Sequence, residues 1–550
     1  MAPAPKGPGG QPQGPPPPQL HTARGFKRLN LSDSRLSIDD DDLAWLENGM
    51  LVGRGVQAVP LYNGLAGVPL HAAAIKISES VSLTYGGHTA PHPCTIAVFE
   101  DGSAWMRDHA LDGAVDSQIA PVGTFSASPQ MTHITMWQDG PVLFLDDLAG
   151  YCKWDGSAFT VIDATKTGHV VAVFEGHAWL LTAARTFTYT APATYDDFTA
   201  GAGAGSFKIT DEAFEGAVST ALSSVEQLWI LGTSSIDALG NVATASGITT
   251  FSVTNAVGSL GTPYHFGEIA YYRSIVFATG YSIHGLLGVT PQKLSAILDR
   301  LFPVLSTTLL SGPKMALQVL NGRLCLVTLF TYTDPVTGAV RSELLCFDEG
   351  RWFLCTTPDL GGRRVLDLVT LITDTRPEVY GIDAGGYVYR LFARPTDPQQ
   401  GTMTISSKLF DFEQPVMGHQ AIKVGLDFSA PAATKLALLT VRLTTEAKSL
   451  VVSSGYENFC SVSDAPLGTA YALYRQNAPM IGQRMGWTVS VPCATGVCLE
   501  AGHLELEPTE TWEVVDPQPA AWDFLSPAGQ VWRFIGQDSQ PFDWLGARPT

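Results

Sequence analysis

Between Val59 and Phe392 the hydrophobic residues come in short runs, each closed by a polar turn about every ten residues. "TIAVFEDGSAWMRD", "PVLFLDDLAGYCKWDGSAFTVID", "VVAVFEGHAWLLTAARTFTYT", "QLWILGTSSIDALG", "EIAYYRSIVFATGYSIHGLLG" and "PEVYGIDAGGYVYRLF" share a grammar. Most have an apolar strand, a turn holding Gly or Asp, and a return strand that is often aromatic. A flat sheet of this length would expose long edges, whereas blades set around an axis leave only short ones. The pattern predicts a mainly β protein with few short helices, its residues 59–400 forming a β-propeller of six or seven blades. A string of sandwiches is the alternative.

The texture changes at Thr402. "ISSKLFDFEQPVMGHQAIKVGLDFSAPAATKLALLTVRL" and "GWTVSVPCATGVCLEAGHLELEP" alternate apolar and polar positions over longer stretches. That is the pattern of antiparallel strands with one wet face, and it predicts a β-sandwich over residues 401–513. Two insertions interrupt the propeller region. "SFKITDEAFEGAVSTALSSV" reads as a loop and a short amphipathic turn. "TPQKLSAILDRLF" reads as a helix with Thr290 as N-cap, Pro291 at its first position and Leu294, Ile297, Leu298 and Leu301 on one stripe.

Near the start, "LSDSRLSIDDDDLAWLENGM" (residues 31–50) places four aspartates before Trp45. A calcium loop counted from Asp39 would need Gly sixth and Glu twelfth, but Ala44 and Met50 stand there. A helix fits the local signals better. Ser37 precedes Asp40 by three residues as in a capping box, the acids favour the helix dipole, and Asn48–Gly49 offers a left-handed stop. Residues 26–58 are thus expected to present an acid-capped helix to a partner surface, with Arg35, Asp39, Trp45, Leu46 and Asn48 as candidate subunit-interface residues. At the other end, residues 514–550 hold three aromatic pairs about ten residues apart: Trp522/Phe524, Trp532/Phe534 and Phe542/Trp544. A tail broken by Pro and Gly cannot bury six rings within itself, so these too are candidate interface residues, packing on their own subunit or on a neighbour.

Composition narrows the function. The 550 residues are 45% hydrophobic and only 15% charged, with 54 glycines and a net charge of −19. Affinity for a phosphate backbone comes from Lys and Arg, so so acidic a chain is no nucleic-acid binder; it could still form a wall past which DNA slides. Residues 1–36 carry five basic residues against Asp33, net +4, leaving −23 elsewhere. The first 25 residues, rich in Pro and Gly, lack the apolar segment of a secretory signal and read as a disordered or polyproline arm. No run approaches about 18 apolar residues, so no membrane span is expected. The eight cysteines are scattered without a C-x-x-C pair and read as free buried thiols; Cys493 and Cys498 could at most face each other across a hairpin.

Chemical motifs are missing: there is no nucleophile elbow, P-loop, H-E-x-x-H or dinucleotide fingerprint. "TAGAGAGSF" is Gly-rich without lysine and reads as a loop. His88 and His92 are the only close histidine pair, flanked by prolines. Asp146/Asp147 and Asp196/Asp197 read as solvated turn carboxylates rather than a glycosidase pair. No catalytic, metal or cofactor site is expected.

Several of these segments resemble tail proteins of short-tailed bacteriophages. "SRLSIDDDDLAWLENGMLVGRGVQAVP" is similar to their N-terminal signature, a polar D-x-R segment leading into W-L-E-N and a Gly-rich run ending near a proline. "YDDFTAGAGAGSFKITDEAF", "LWILGTSSIDALGN", "ITTFSV" and "GSLGTPYHFGEIAYYRSIVFATGYSIHGLLGVTPQKLSAILDRLF" follow in the order of the tail hub and nozzle proteins. "RMGWTVSV" resembles their final strands, with Trp487 following Gly486 where arginine is usual. The resemblance covers about residues 26–510. It implies a non-enzymatic virion protein: a homo-hexameric nozzle or hub ring below the portal and adaptor, in contact with tail fibre proteins, that conducts and gates the ejected genome without binding it specifically. A receptor-binding tail protein that holds a host glycan is the second reading, and a propeller hydrolase of envelope polysaccharide the third.

Overall fold

The protein is described by a computed structural model. It describes all residues except 1–18, 25, 33, 63, 65–68, 111–114, 129–130, 300, 303–311, 334–337, 359–363, 374–375, 411–417, 430–439, 446–448, 455–468, 476–480, 483, 510–520, 526–530 and 536–550. Residues 1–18 of the N-terminal arm, Cys460, Phe542 and Trp544 therefore lie outside the described residues, whereas Gln19–Arg24, expected to belong to a disordered arm, forms a strand paired with Cys498–Thr509. The chain divides into two compact units, Leu61–Gln399 and a second one built from both ends, Met1–Pro60 with Gln400–Thr550.

Leu61–Gln399 is a seven-bladed β-propeller. Blades one to five are four-stranded antiparallel sheets beginning at Ile75, Thr132, Val171, Val218 and Glu268, and blade six is the run of four strands from Lys314 to Cys355 within a larger sheet; in all six each strand of the blade pairs with the next in sequence. The seventh holds Val365–Thr373, Arg376–Asp383 and Val388–Arg390. The first strand of each sheet touches the first strand of the next, and Val365–Thr373 returns to Ile75–Leu83. The first strands thus surround the axis, and the ring closes.

The chemistry of closure is explicit. Leu61 bridges Phe392 antiparallel and the Tyr62 N–H donates to the Leu391 carbonyl at 3.0 Å, so the start of the unit extends the last blade. Between blades seven and one, the Asp367 carboxylate accepts from the Ser78 N–H at 2.7 Å and the Ser78 hydroxyl at 2.8 Å. Leu70, Ile75, Phe99, Ile382 and Val388 pack into one apolar cluster across the same seam. Inter-blade hydrogen bonds recur elsewhere, from the Trp352 indole to the Leu294 carbonyl at 2.9 Å and from the Tyr271 hydroxyl to the Leu324 carbonyl at 3.0 Å. These buried polar groups find partners on the adjoining sheet, so blade-to-blade spacing is fixed by bonds as well as by packing.

The terminal unit is a β-sandwich. One sheet includes Gly49–Val52, Gly55–Ala58, Gly418–Ser429 and Cys498–Thr509; the other runs through Asp42–Glu47, Thr402–Ser407, Met485–Pro492 and Thr440–Thr445. Trp487 and Gly502 show how the two sheets meet. Trp487 is fully buried, and a Cβ on Gly502 would lie 2.4 Å from its indole. Glycine at 502 leaves the space that the ring fills.

Three expectations are corrected. Residues 39–47 form no helix: Asp42–Glu47 is a strand, pairing with Arg28–Leu29 and with Thr402–Ser407. The capping signals were real but local, and pairing on both edges outweighs them. Asn48 does adopt the left-handed conformation, at φ 51°, and turns the chain into the next strand instead of ending a helix. Nor do residues 290–299 form the expected helix. Thr290–Lys293 is the outer strand of blade five, where Pro291 needs no ladder donor, and only Ala296–Leu298 forms a 3-10 turn. Finally, "SFKITDEAFEGAVSTALSSV" supplies the last strand of blade three and the first of blade four.

Candidate functional site at the propeller axis

Six polar side chains from the blades' first strands gather at the axis: Glu79, His133, Thr220, Glu268, Lys314 and Asp367. Bulges help to aim them. The ladders slip at Lys76, Ser219 and Leu366, near the starts of their strands, and a bulge turns the following side chains out of the ordinary alternation.

Charge at the axis is unbalanced. The Lys314 ammonium lies 3.9 Å from Asp367 and 4.7 Å above the Phe266 ring, and among the described residues it is the one cation whose field reaches Glu79 and Glu268. Glu268 accepts the Thr220 hydroxyl on Oε1 and has a buried Oε2 without a partner. Glu79 accepts the Ser80 N–H at 3.1 Å. Both glutamates are walled in by protein yet remain partly exposed. Loss of bulk solvent pushes each of them up to about 7, and burial raises Asp367 as well.

The histidines respond in the opposite sense. Burial lowers His133 to about 3 and His265 well below its ordinary value. His133 Nδ1 accepts the Val171 N–H at 2.8 Å, which places the ring proton on Nε2.

One end of the axis is crossed by Gly261–Gly267, the link between blades four and five. Thr262 donates its N–H to the Gly232 carbonyl at 2.9 Å, and Ala278 donates to Gly267 at 2.8 Å. Between these anchors His265 sets Nδ1 3.0 Å from the Ser219 carbonyl and Nε2 3.2 Å from the Thr132 carbonyl, spanning blades four and two. A neutral imidazole can donate to only one of them. Phe266, at φ 65°, turns its ring onto His133 at 4.8 Å. The segment acts as a plug over the acids.

Asp146 corrects another expectation. It is completely buried at the seam of blades one and two, 3.5 Å from the Lys76 ammonium, and accepts the N–H groups of Ser126, Leu148 and Ala149. Its partner in sequence, Asp147, is exposed, as is Asp196. His88 and His92 do approach, with ring centroids 4.2 Å apart, but His92 is committed to Asp108 at 2.6 Å. "TAGAGAGSF" is a turn leading into Gly205–Lys208. Cys94, Cys152, Cys325 and Cys346 are buried thiols, and burial pushes Cys94 and Cys152 up to about 12, which leaves them unreactive.

The proposed interface residues of the N-terminal segment are largely engaged within their own unit. Leu46 is fully buried, and Asn48 donates to the Thr402 carbonyl at 2.9 Å. Arg35 donates Nε–H to the Ser407 carbonyl at 2.8 Å, and burial lowers it to about 10. Trp45 is half-buried, its indole on Glu47. Asp39, Asp41 and Asp42 bring carboxylates together, but Lys27 and Arg28 already pair with them and Asn30 bonds Asp42 at 2.6 Å. In the tail, Trp522 stands opposite Phe534 and Phe524 opposite Trp532 in a two-stranded sheet.

The axial acids were missed because each is a lone carboxylate within a strand pattern: "KISESVSL", "GEIAYY" and "VLDLVT". Their shared signal is position, since each lies in the first strand of a blade. Only the sheet order reveals that.

No protein-family model matches the chain, and no curated protein matches it. Among solved structures it is similar to the N-terminal domain of Nup159, at 10% identity over 64% of this chain and 98% of that one, TM-score 0.33. BBS1N in complex with ARL6DN matches at 10% identity over 62% and 99%, TM-score 0.40. Trypanosoma rangeli sialidase matches at 8% identity over 88% and 96%, TM-score 0.28. The propeller rests on the sheets themselves. No described helix is long and apolar enough to cross a membrane.

Proposed function

We propose that this chain is a structural protein of a short-tailed phage tail, a subunit of the nozzle or hub ring. The tail-protein likeness over residues 26–510 motivates this reading, and the plugged axis is the observation that carries it. A propeller acting on a polymer needs an open funnel above its acids, whereas here His265 and Phe266 lie over them. A blade ring locked by polar seams makes a rigid body suited to repeated packing with copies of itself. The ring contacts, the adaptor, portal and fibre partners, and the genome channel belong to this proposal.

A labelled antibody to the protein tests it: gold should decorate intact virions at the distal tail axis. Label on the capsid or at fibre tips would refute the assignment.

The axial carboxyls favour a second reading, a polysaccharide hydrolase. Glu79 and Glu268 hold protons near neutrality, as general acids must. Soluble turnover of envelope polysaccharide by the purified protein, lost in Glu268→Gln, would establish that reading in place of the first.

A further inference from the structure

Blade four carries the propeller's least protected edge. Its outer strand, Ile248–Val257 (ITTFSVTNAV), is ten residues long and contains neither a charge nor a proline. Other outer strands are blunted as soluble sheet edges usually are. Blade one has Asp116 and a bulge, blade two ends at Asp163, blade three stops after four residues at Lys208, and blade five carries Pro291 and Lys293.

Among the described residues, the only strand paired with Ile248–Val257 is Ile236–Ala245. The hairpin is held firmly all the same. Phe251 packs edge-on to Trp179 at 5.4 Å and the Thr249 hydroxyl donates to the Gly203 carbonyl at 2.6 Å, while Ile248, Thr250, Ser252 and Thr254 face solvent. A rigid, uncharged strand with a free edge is a ready template for strand addition.

We infer that this edge accepts a strand from a second copy of the chain, donated by the C-terminal hairpin Ala521–Leu525/Val531–Ile535. Two observations select that occupant. Copies carrying −19 each repel, so they can meet closely only where charge is absent or cancels. The edge has none, and the hairpin's Asp523 and Arg533 cancel. Moreover, the hairpin's strands pair only with each other among the described residues, and a lone two-stranded sheet is marginal in water. Donor and acceptor are different surfaces, so the contact is head-to-tail and propagates from copy to copy, forming a ring where the rotation between copies closes. The inference deepens the ring reading and rests on it for its purpose.

The test is sedimentation velocity on full-length protein. The triple variant Ile248→Lys, Thr250→Lys, Thr254→Lys charges three exposed positions; it should keep the wild-type melting temperature and lose association by at least about tenfold. Phe524→Pro, which breaks the donor strand, should do the same. Mixed one to one, these two variants should form a single heterodimer, because each retains the half that the other lacks. If the lysine variant assembles like wild type, or the mixture of folded variants stays monomeric, the inference fails while the ring reading stands. A wild-type chain that stays monomeric at every concentration overturns both.

Discussion

Glu268→Gln should remove one share of a pH dependence built into the propeller axis, leaving that of Glu79 and Asp367 in place. In the folded chain burial pushes Glu268 to about 7, against an ordinary value of 4.5. A raised carboxyl binds more protons folded than unfolded, so its contribution to stability is greatest at acid pH. It is lost as pH rises from 4.5 through 7. The 2.5-unit displacement corresponds to about 3 kcal/mol at pH 8, at 1.36 kcal/mol per unit. Gln keeps the Oε1 acceptor for Thr220 and carries no charge at any pH. The variant should therefore match wild type near pH 4.5 and exceed it by about 2–3 kcal/mol at pH 8. For a unit of this size that is about 3–5 °C in melting temperature. His133 has the opposite sign: its depressed folded value, about 3, makes stability rise between pH 3 and 6.5. Differencing the two proteins cancels that contribution. Calorimetric melts at pH 5 and pH 8 decide the matter. If the difference between variant and wild type does not change with pH, Glu268 ionises freely and the axial burial argument is wrong.

Other consequences can be measured as directly. Lys76→Met strips the cation from buried Asp146 at the seam of blades one and two, and should cost about 3–5 kcal/mol in urea unfolding; a loss under about 1 kcal/mol would mean the pair is solvated. Gly502→Ala drives a methyl into Trp487 and should cost about 1–3 kcal/mol, with a shift in tryptophan emission; unchanged emission and stability would refute the sheet-to-sheet contact. Cys94, Cys152, Cys325 and Cys346 should resist a thiol reagent until the chain unfolds, so rapid labelling of native protein at these positions would contradict their burial.

The fold was legible where chemistry is local and repeated. Short apolar runs with turns between them, as in "QLWILGTSSIDALG", announce blades because strand alternation and turn residues act over a few positions. Where local and tertiary signals conflict, the local ones mislead. Ser37, the aspartates and Asn48 satisfy the rules for a helix, yet the chain from Asp42 to Glu47 gains more from pairing on both edges. Pro291 followed by the Leu294 stripe misled in the same way, since blade five still needed a fourth strand. The axial cluster was not legible at all. Glu79, Glu268 and Asp367 are 189 residues apart, then 99, along the chain, and only closure of the ring brings their strands around one axis. Trp487, whose size its local sequence does not explain, fills the space left at Gly502.

Electron micrographs of the purified full-length protein, sorted into class averages, test the central claim most directly. The account expects closed rings of six subunits around an open central channel, each subunit a propeller with its own axis plugged. Single, unassociated particles at every protein concentration, with an open funnel through the propeller, would contradict it.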